Sequence, residues 1–128
     1  MTLQPTSFPK EKIKVLLLEN VHTTAFTHFK HNGYVEVESL KGSLSEKELL
    51  ERISNVHILG IRSKTQLTEA VLKKADKLLA VGAFCIGTNQ INMAAARKQG
   101  VAVFNSPFSN TRSVAELVIG LSISLMRR

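Results

Sequence analysis

Val56-His-Ile-Leu-Gly-Ile61-Arg-Ser-Lys-Thr-Gln-Leu-Thr68-Glu-Ala-Val-Leu-Lys-Lys-Ala75-Asp-Lys-Leu-Leu-Ala-Val81 is the stretch that decides the fold. Its opening run is apolar, short and rich in β-branched residues, so residues 56–61 are expected to form a buried strand. Thr68 stands where an N-cap belongs and Glu69 follows in the first turn, predicting a helix that ends near Ala75. A second apolar run at residues 78–81 predicts another strand. Strand, helix and strand in this order make a βαβ unit, whose two strands lie parallel because the helix carries the chain back.

The same alternation extends in both directions. Upstream, Ile13-Lys-Val-Leu-Leu-Leu18 predicts a buried strand, and residues 22–31 a helix ended by Asn32-Gly33. Residues 34–39 alternate as a half-buried strand does, and Ser45-Glu-Lys-Glu48 is a capping box opening a helix to about Ile53. Downstream, residues 91–99 predict a helix stopped by Gly100, and residues 101–104 a fifth strand. Ser113-Val-Ala-Glu116 has the form of a second capping box, starting the last helix. Five strands alternating with helices predict an α/β fold: a flavodoxin-like, doubly wound parallel five-stranded sheet covered on both faces. The last helix is unusual. Val114, Ala115, Leu117, Val118, Ile119, Leu121, Ile123, Leu125 and Met126 occupy nearly its whole circumference, so one sheet cannot cover it and a second partner surface is needed.

Composition narrows the function. A chain of 128 residues fits one domain, and 44% hydrophobic with 21% charged residues is ordinary for a folded, soluble protein. Cys85 is the single cysteine, which excludes an internal disulfide and a cysteine-rich zinc site and agrees with a reducing, cytoplasmic setting. Residues 1–12 contain Pro5 and Pro9 and lack the apolar core of a signal peptide, so they are expected to be a flexible leader. Residues 114–126 fall short of the roughly 20 apolar residues of a membrane span, so no transmembrane helix is expected. The net charge of +7 raises nucleic acid as a partner. The cations are scattered, however, aromatics are few, and no helix-turn-helix pattern is present, which argues against it. The charge instead suits a small anionic metabolite, or is balanced by a further C-terminal portion.

In open parallel sheets ligands bind beyond the carboxyl ends of the strands. There lie Lys41-Gly42, Arg62-Ser63-Lys64, residues 82–87 and Ser109-Asn110-Thr111-Arg112. Cations, hydroxyls, an amide and backbone N–H groups converging on one edge suit a small acid carrying carboxylate and phosphate. Arg62 ranks first, because its planar fork can hold an oxyanion in two bonds; Lys64 and then Lys41 follow as point charges. Residues 82–87 begin and end in glycine like a phosphate loop, but Thr88-Asn89 replaces the Lys-Ser or Lys-Thr that grips a triphosphate. Nucleotide triphosphatase chemistry is thereby excluded. Cys85 has no histidine placed beside it by a motif and is expected to be a small buried hydrophobe rather than a nucleophile. His22, His28, His31 and His57 lack metal-ligand spacing, and Asp76 is the only aspartate, so neither a zinc nor a magnesium site is expected.

Three segments go further than pattern: residues 60–68 (Gly-Ile-Arg-Ser-Lys-Thr-Gln-Leu-Thr), Phe84-Cys-Ile-Gly-Thr-Asn-Gln90, and Phe104-Asn-Ser-Pro-Phe-Ser-Asn-Thr-Arg-Ser-Val-Ala-Glu-Leu-Val-Ile-Gly120. Together they resemble the D-2-hydroxyacid dehydrogenases, over the chain from Lys12 onward. The resemblance implies oxidation of 3-phospho-D-glycerate to 3-phosphohydroxypyruvate with NAD, at the entry to serine biosynthesis. It also implies an organisation of residues 13–110 as a substrate-binding domain and residues 111–128 as an interdomain helix, with the Rossmann cofactor domain missing. On this basis Arg62, Ser63 and Lys64 form the substrate-anion segment, where relatives carry a second arginine in place of Lys64. Lys41 is implied to reach the phosphate, Phe84 and Cys85 to offer backbone N–H groups to the substrate carboxylate, Asn110 to face the substrate and Ile86 the nicotinamide. Asn92 stands where the family has aspartate.

The family's catalytic arginine, glutamate and histidine, and its G-x-G-x-x-G turn, would lie beyond Arg128. No catalytic residue and no bound cofactor are therefore expected within these residues by themselves. Residues 114–126 are expected to meet either the Rossmann domain or a second chain. Two other readings remain open: a non-catalytic anion-binding module of flavodoxin-like fold, and an interaction fragment that docks through its last helix.

Overall fold

A computed structural model describes residues 8–127, so most of the leader expected over residues 1–12 lies outside the described residues. Five strands, β1 (Val15–Leu17), β2 (Val37–Ser39), β3 (Ile58–Ile61), β4 (Ala80–Ala83) and β5 (Ala102–Asn105), form one sheet in the order β2-β1-β3-β4-β5. All four pairings are parallel. Helices α1 (Thr23–His31), α2 (Glu46–Arg52), α3 (Glu69–Lys74) and α4 (Met93–Lys98) connect them, and α5 (Thr111–Met126) follows β5. The order reverses at β1, between β2 and β3, as in the flavodoxin-like arrangement expected from the alternation.

Local chemistry sets the helix ends. Both halves of the Ser45–Glu48 capping box form: Ser45 Oγ accepts from the Glu48 amide, and Glu48 Oε2 accepts from the Ser45 amide at 2.8 Å. Thr68 Oγ1 accepts from the Val71 amide to start α3. Asn92 Oδ1 accepts from the Ala95 amide at 3.0 Å, so the asparagine caps α4. Gly33 at φ +89° and Gly100 at φ +71° end α1 and α4 in the left-handed region, where a Cβ would be strained.

Three expectations need correction. β4 lies two residues later than residues 78–81: Leu79 is exposed, and Gly82 and Ala83 pair with Gly60 and Ile61 as strand, not loop. Glycine and alanine have poor strand propensity, and the ladder to β3 and β5 overrides it. The second capping box does not form. α5 begins at Thr111 after Asn110, which places Ser113 inside the first turn, and Glu116 accepts instead from Arg112 Nε at 2.7 Å, one helical turn back.

The third correction concerns cover. One face of the sheet is packed: Leu16, Leu18, Leu59, Ile61, Val81 and Ala83 meet Leu49 of α2, Ile53 just after it, Val71 and Leu72 of α3, and Ala95 and Ala96 of α4. On the other face Val15, Leu17 and Ile58 meet Ala25, Phe26 and Phe29 of α1. Among the described residues no helix packs on that face beyond α1, and the Phe84 ring lies over Gly60 and Gly82 there. Gly60, Gly82 and Phe104 lie in register across β3, β4 and β5, and Phe104 is 65% exposed. The helix that could have covered this half is α5, and all of its residues are exposed. No helix among the described residues is long and apolar enough to cross a membrane.

Candidate functional site

At the carboxyl edge the connecting segments are joined into one hydrogen-bonded series. The segment after β2 accepts from the turn after β1, with the Glu19 amide donating to Gly42 O at 2.9 Å and the Asn20 amide to Leu40 O at 3.1 Å. That turn in turn holds the loop after β3. Glu19 Oε1 accepts from the amides of Arg62 (3.2 Å) and Thr65 (2.8 Å), and Oε2 from the amide of Lys64 (2.9 Å). Gln90, almost fully buried, then ties the β3 and β4 loops: Nε2 donates to Arg62 O at 2.7 Å and lies 3.3 Å from Gly87 O and from Cys85 Sγ. Finally Asn105 Nδ2 donates to Ile86 O at 2.7 Å, and the Ser106 amide to Cys85 O at 3.0 Å, joining the β4 loop to the end of β5.

Glu19 is the buried charge of this edge. Burial pushes its pKa upward, but hydrogen bonds from Thr65, Lys64 and Arg62 outweigh that and hold it below the ordinary carboxylate value. The buried Thr65 hydroxyl contributes to this from alongside, although its Oγ1 makes no hydrogen bond of ordinary geometry. An ionised carboxylate with both oxygens engaged by amides is a poor proton carrier at neutral pH. Glu19 is therefore held as a hydrogen-bond acceptor rather than as a proton donor.

The structure brings several of the sequence-derived residues together. Arg62, Ser63 and Lys64 are exposed on the loop folded against Glu19, and neither cationic side chain makes an ion pair or hydrogen bond among the described residues. Lys41 is likewise exposed, on a segment linked to the same residue through Gly42. Phe84 departs from the expectation. Its amide donates to Ile61 O at 2.8 Å and is not open to a ligand, while its ring, 42% exposed, lies over Gly60 and Gly82. The amides of Cys85 and Ile86 donate to no acceptor among the described residues.

Cys85 is half-buried, packs against the main core, and its thiol bonds Gly87 O at 3.2 Å. Ile86 presents an apolar side chain at the edge. Asn110 is exposed at the start of α5 with its side chain free of the capping bond, and no hydrogen bond among the described residues joins it to the β3 or β4 loops. A shallow hollow of about 150 Å³ lies between Phe84 and Phe104, with Asn105 and Ser106 at its rim.

Sequence reasoning gives no place to Glu19, while Gln90 and Asn105 fall inside the motifs without a role of their own. The signal for Glu19 was present: a lone carboxylate directly after an apolar strand, followed by asparagine, one of the few residues that tolerate left-handed backbone. Glu19 and Asn20 do sit at φ 60° and 54°.

The sequence profile of the catalytic domain of D-isomer specific 2-hydroxyacid dehydrogenases matches residues 15–120. The chain belongs to that family. D-3-phosphoglycerate dehydrogenase of Dictyostelium discoideum is 55% identical over 123 residues, covering 96% of this chain and 30% of its relative. The D-2-hydroxyacid dehydrogenase fold is equally apparent in solved structures. The TT0316 protein of Thermus thermophilus superposes with a TM-score of 0.78 at 25% identity, over 88% of this chain and 36% of the other. NAD+-bound 3-phosphoglycerate dehydrogenase of Entamoeba histolytica gives 0.70 at 23% identity, over 88% and 38%. The chain thus spans about a third of the length of the relatives it matches.

Proposed function

We propose that these residues form the substrate-holding part of an NAD-dependent dehydrogenase that oxidises 3-phospho-D-glycerate to 3-phosphohydroxypyruvate. The observation that carries the reading is the free pair of cations on the Arg62–Lys64 loop, next to the unengaged amides of Cys85 and Ile86. A guanidinium and an ammonium suit a phosphate or carboxylate, and backbone amides in a tight loop suit the second anionic group of the same small molecule. Lys41 adds a third positive charge from the next segment, and Asn110 a hydrogen-bonding amide from the start of α5.

NAD belongs to this proposal only in the complete enzyme. These 128 residues contain no G-x-G-x-x-G turn to cradle a pyrophosphate, and their contribution toward the cofactor is the exposed Ile86 surface. NAD supplies the hydride acceptor when bound; this chain's residues bind and orient the acid. Residues 1–128 alone are accordingly expected to show no NAD reduction with 3-phosphoglycerate. The exposed α5 supports the remainder of the reading, a partner surface for a cofactor-binding domain or a second copy of the chain, in the cytoplasm. A non-catalytic anion-binding module would share the same loop, and would differ in having no cofactor domain to dock.

The test is a titration with 3-phospho-D-glycerate by calorimetry or NMR. Arg62→Ala should weaken binding by about 1.5–3 kcal/mol, as expected for a charge-assisted, two-bond contact, and Lys41→Ala by clearly less. Equal losses would remove the ranking of Arg62, and no binding by the unaltered chain would remove the reading.

A further inference from the structure

We propose that Glu19 is a positioning residue for anion binding: its carboxylate gathers the Arg62-Ser63-Lys64-Thr65 loop around itself and so presents Arg62 and Lys64 at the ligand edge. This rests on the reading of that loop as the anion subsite.

Three of the four loop amides, those of Arg62, Lys64 and Thr65, point at one carboxylate. Only an ionised carboxyl can accept at both ends and donate at neither, so no neutral side chain of the same length replaces it without opposing a donor to a donor. The loop backbone faces inward while Arg62, Ser63 and Lys64 remain exposed. The Glu19 amide also bonds Gly42 O, next to Lys41. Arg62 and Lys64 are thus placed through the Glu19 side chain, and Lys41 through its backbone.

Charge makes the arrangement specific. Glu19 makes no ion pair among the described residues, and its negative charge is balanced by amide dipoles instead. The cations are organised without being neutralised, and their charge stays available to a ligand. The turn that delivers Glu19 is itself held in an uncommon conformation, with Glu19 and Asn20 both in the left-handed region. Such backbone persists where surrounding bonds over-determine it, and it clusters at functional sites.

The sign of the pH effect follows from the lowered pKa. The ionised clamp is intact above the ordinary carboxylate value of 4.5 and is lost as pH falls through the lower folded value. The charged side chains on the segments bonded to Glu19 are Arg62, Lys64 and Lys41, and none of them contributes to the shift.

The experiment uses the full chain, 3-phospho-D-glycerate as probe, and NMR of the Arg62, Lys64 and Thr65 amides. On acidification without ligand, the three resonances should move together with one midpoint below 4.5. Separate midpoints, or none, would overturn the clamp, and this readout needs no variant to fold. Glu19→Gln should weaken probe binding about tenfold or more, and Glu19→Asp, which keeps the charge on a shorter arm, should recover part of the loss. In an Arg62→Ala background Glu19→Gln should cost much less, because residues acting through one another are not additive. Equal cost in both backgrounds would mean general destabilisation and overturn the proposal. If Arg62→Ala weakens binding and Glu19→Gln does not, the inference about Glu19 alone falls. If the unaltered chain does not bind the probe, the anion-subsite reading falls and this inference with it.

Discussion

The carboxyl edge of the sheet and helix α5 are both built from segments that their sequences fit well, yet they are held in opposite ways. At the edge, polar loops with little apolar content are fixed by hydrogen bonds running from Gly42 through Glu19, Arg62, Gln90 and Cys85 to Ser106. In α5, the richest apolar segment of the chain, every residue is exposed. Apolar content therefore does not mark where this domain is most constrained. Order at the edge comes from buried polar atoms with their partners in place, while α5 has helical bonding and an exposed apolar surface.

The largest expected contrast is between two leucines. Leu72 of α3 is fully buried in the main core, and Leu117 of α5 is 62% exposed. Leu72→Ala should destabilise the chain by about 2–5 kcal/mol, the usual cost of a large-to-small change in a packed core. Leu117→Ala should change stability by less than about 0.5 kcal/mol. Urea denaturation reads both. Comparable losses would show that α5 is packed in solution and erase the difference between the two regions.

Glycines sharpen the same comparison with effects of opposite sign. A Cβ added at Gly60 would lie 2.6 Å from Leu17 Cδ2 and 3.1 Å from Phe84 Cε2, beneath the ring that caps the candidate site. Gly60→Ala should cost about 1–3 kcal/mol and displace Phe84. At Gly120, inside α5, an added Cβ meets nothing within 4 Å. Gly120→Ala should raise helix stability by about 0.5–1 kcal/mol, visible as a slower loss of far-UV helical signal on heating. A destabilising Gly120→Ala would reveal a close neighbour at that face of α5.

Much of the fold was legible because its signals are local. Ser45 with Glu48, Thr68, Gly33 and Gly100 mark helix ends through bonds spanning a few residues, and the structure keeps all four. β4 was misplaced because Gly82 and Ala83 are strand only by virtue of neighbours at Gly60, Ile61, Phe104 and Asn105, which lie far away in sequence. Ser113 and Glu116 had cap spacing, but the position of a helix start depends on the preceding turn. At the site, exposed Arg62 and Lys64 were accessible to pattern reading, since a cation after a buried strand is visible in sequence. Glu19 is visible in the same way as a carboxylate after a buried strand, but its partners are not, because they are three amides more than 40 positions away. Phe84 shows a further limit: the resemblance implies an open amide there, and the bond of that amide to Ile61 could be learned only from the ladder.

The smallest effect on stability, and the most telling for the comparison, should come from removing α5. Val114, Leu117, Val118, Ile119, Leu121, Ile123, Leu125 and Met126 are all about half exposed or more, so little buried area disappears with them. Truncation before Thr111 should leave the denaturation midpoint of the sheet within about 0.5 kcal/mol of the full chain. Association should change far more than stability. An apolar surface of this extent on a separate helix tends to find a second copy, and the bare half of the sheet beside Phe104 offers a further place to dock. Sedimentation at matched concentrations should show the full chain self-associating and the truncated chain monomeric. A strictly monomeric full chain whose α5 amides are protected from hydrogen exchange would mean that the helix folds back on its own sheet, and that the partner surface assigned to it is internal.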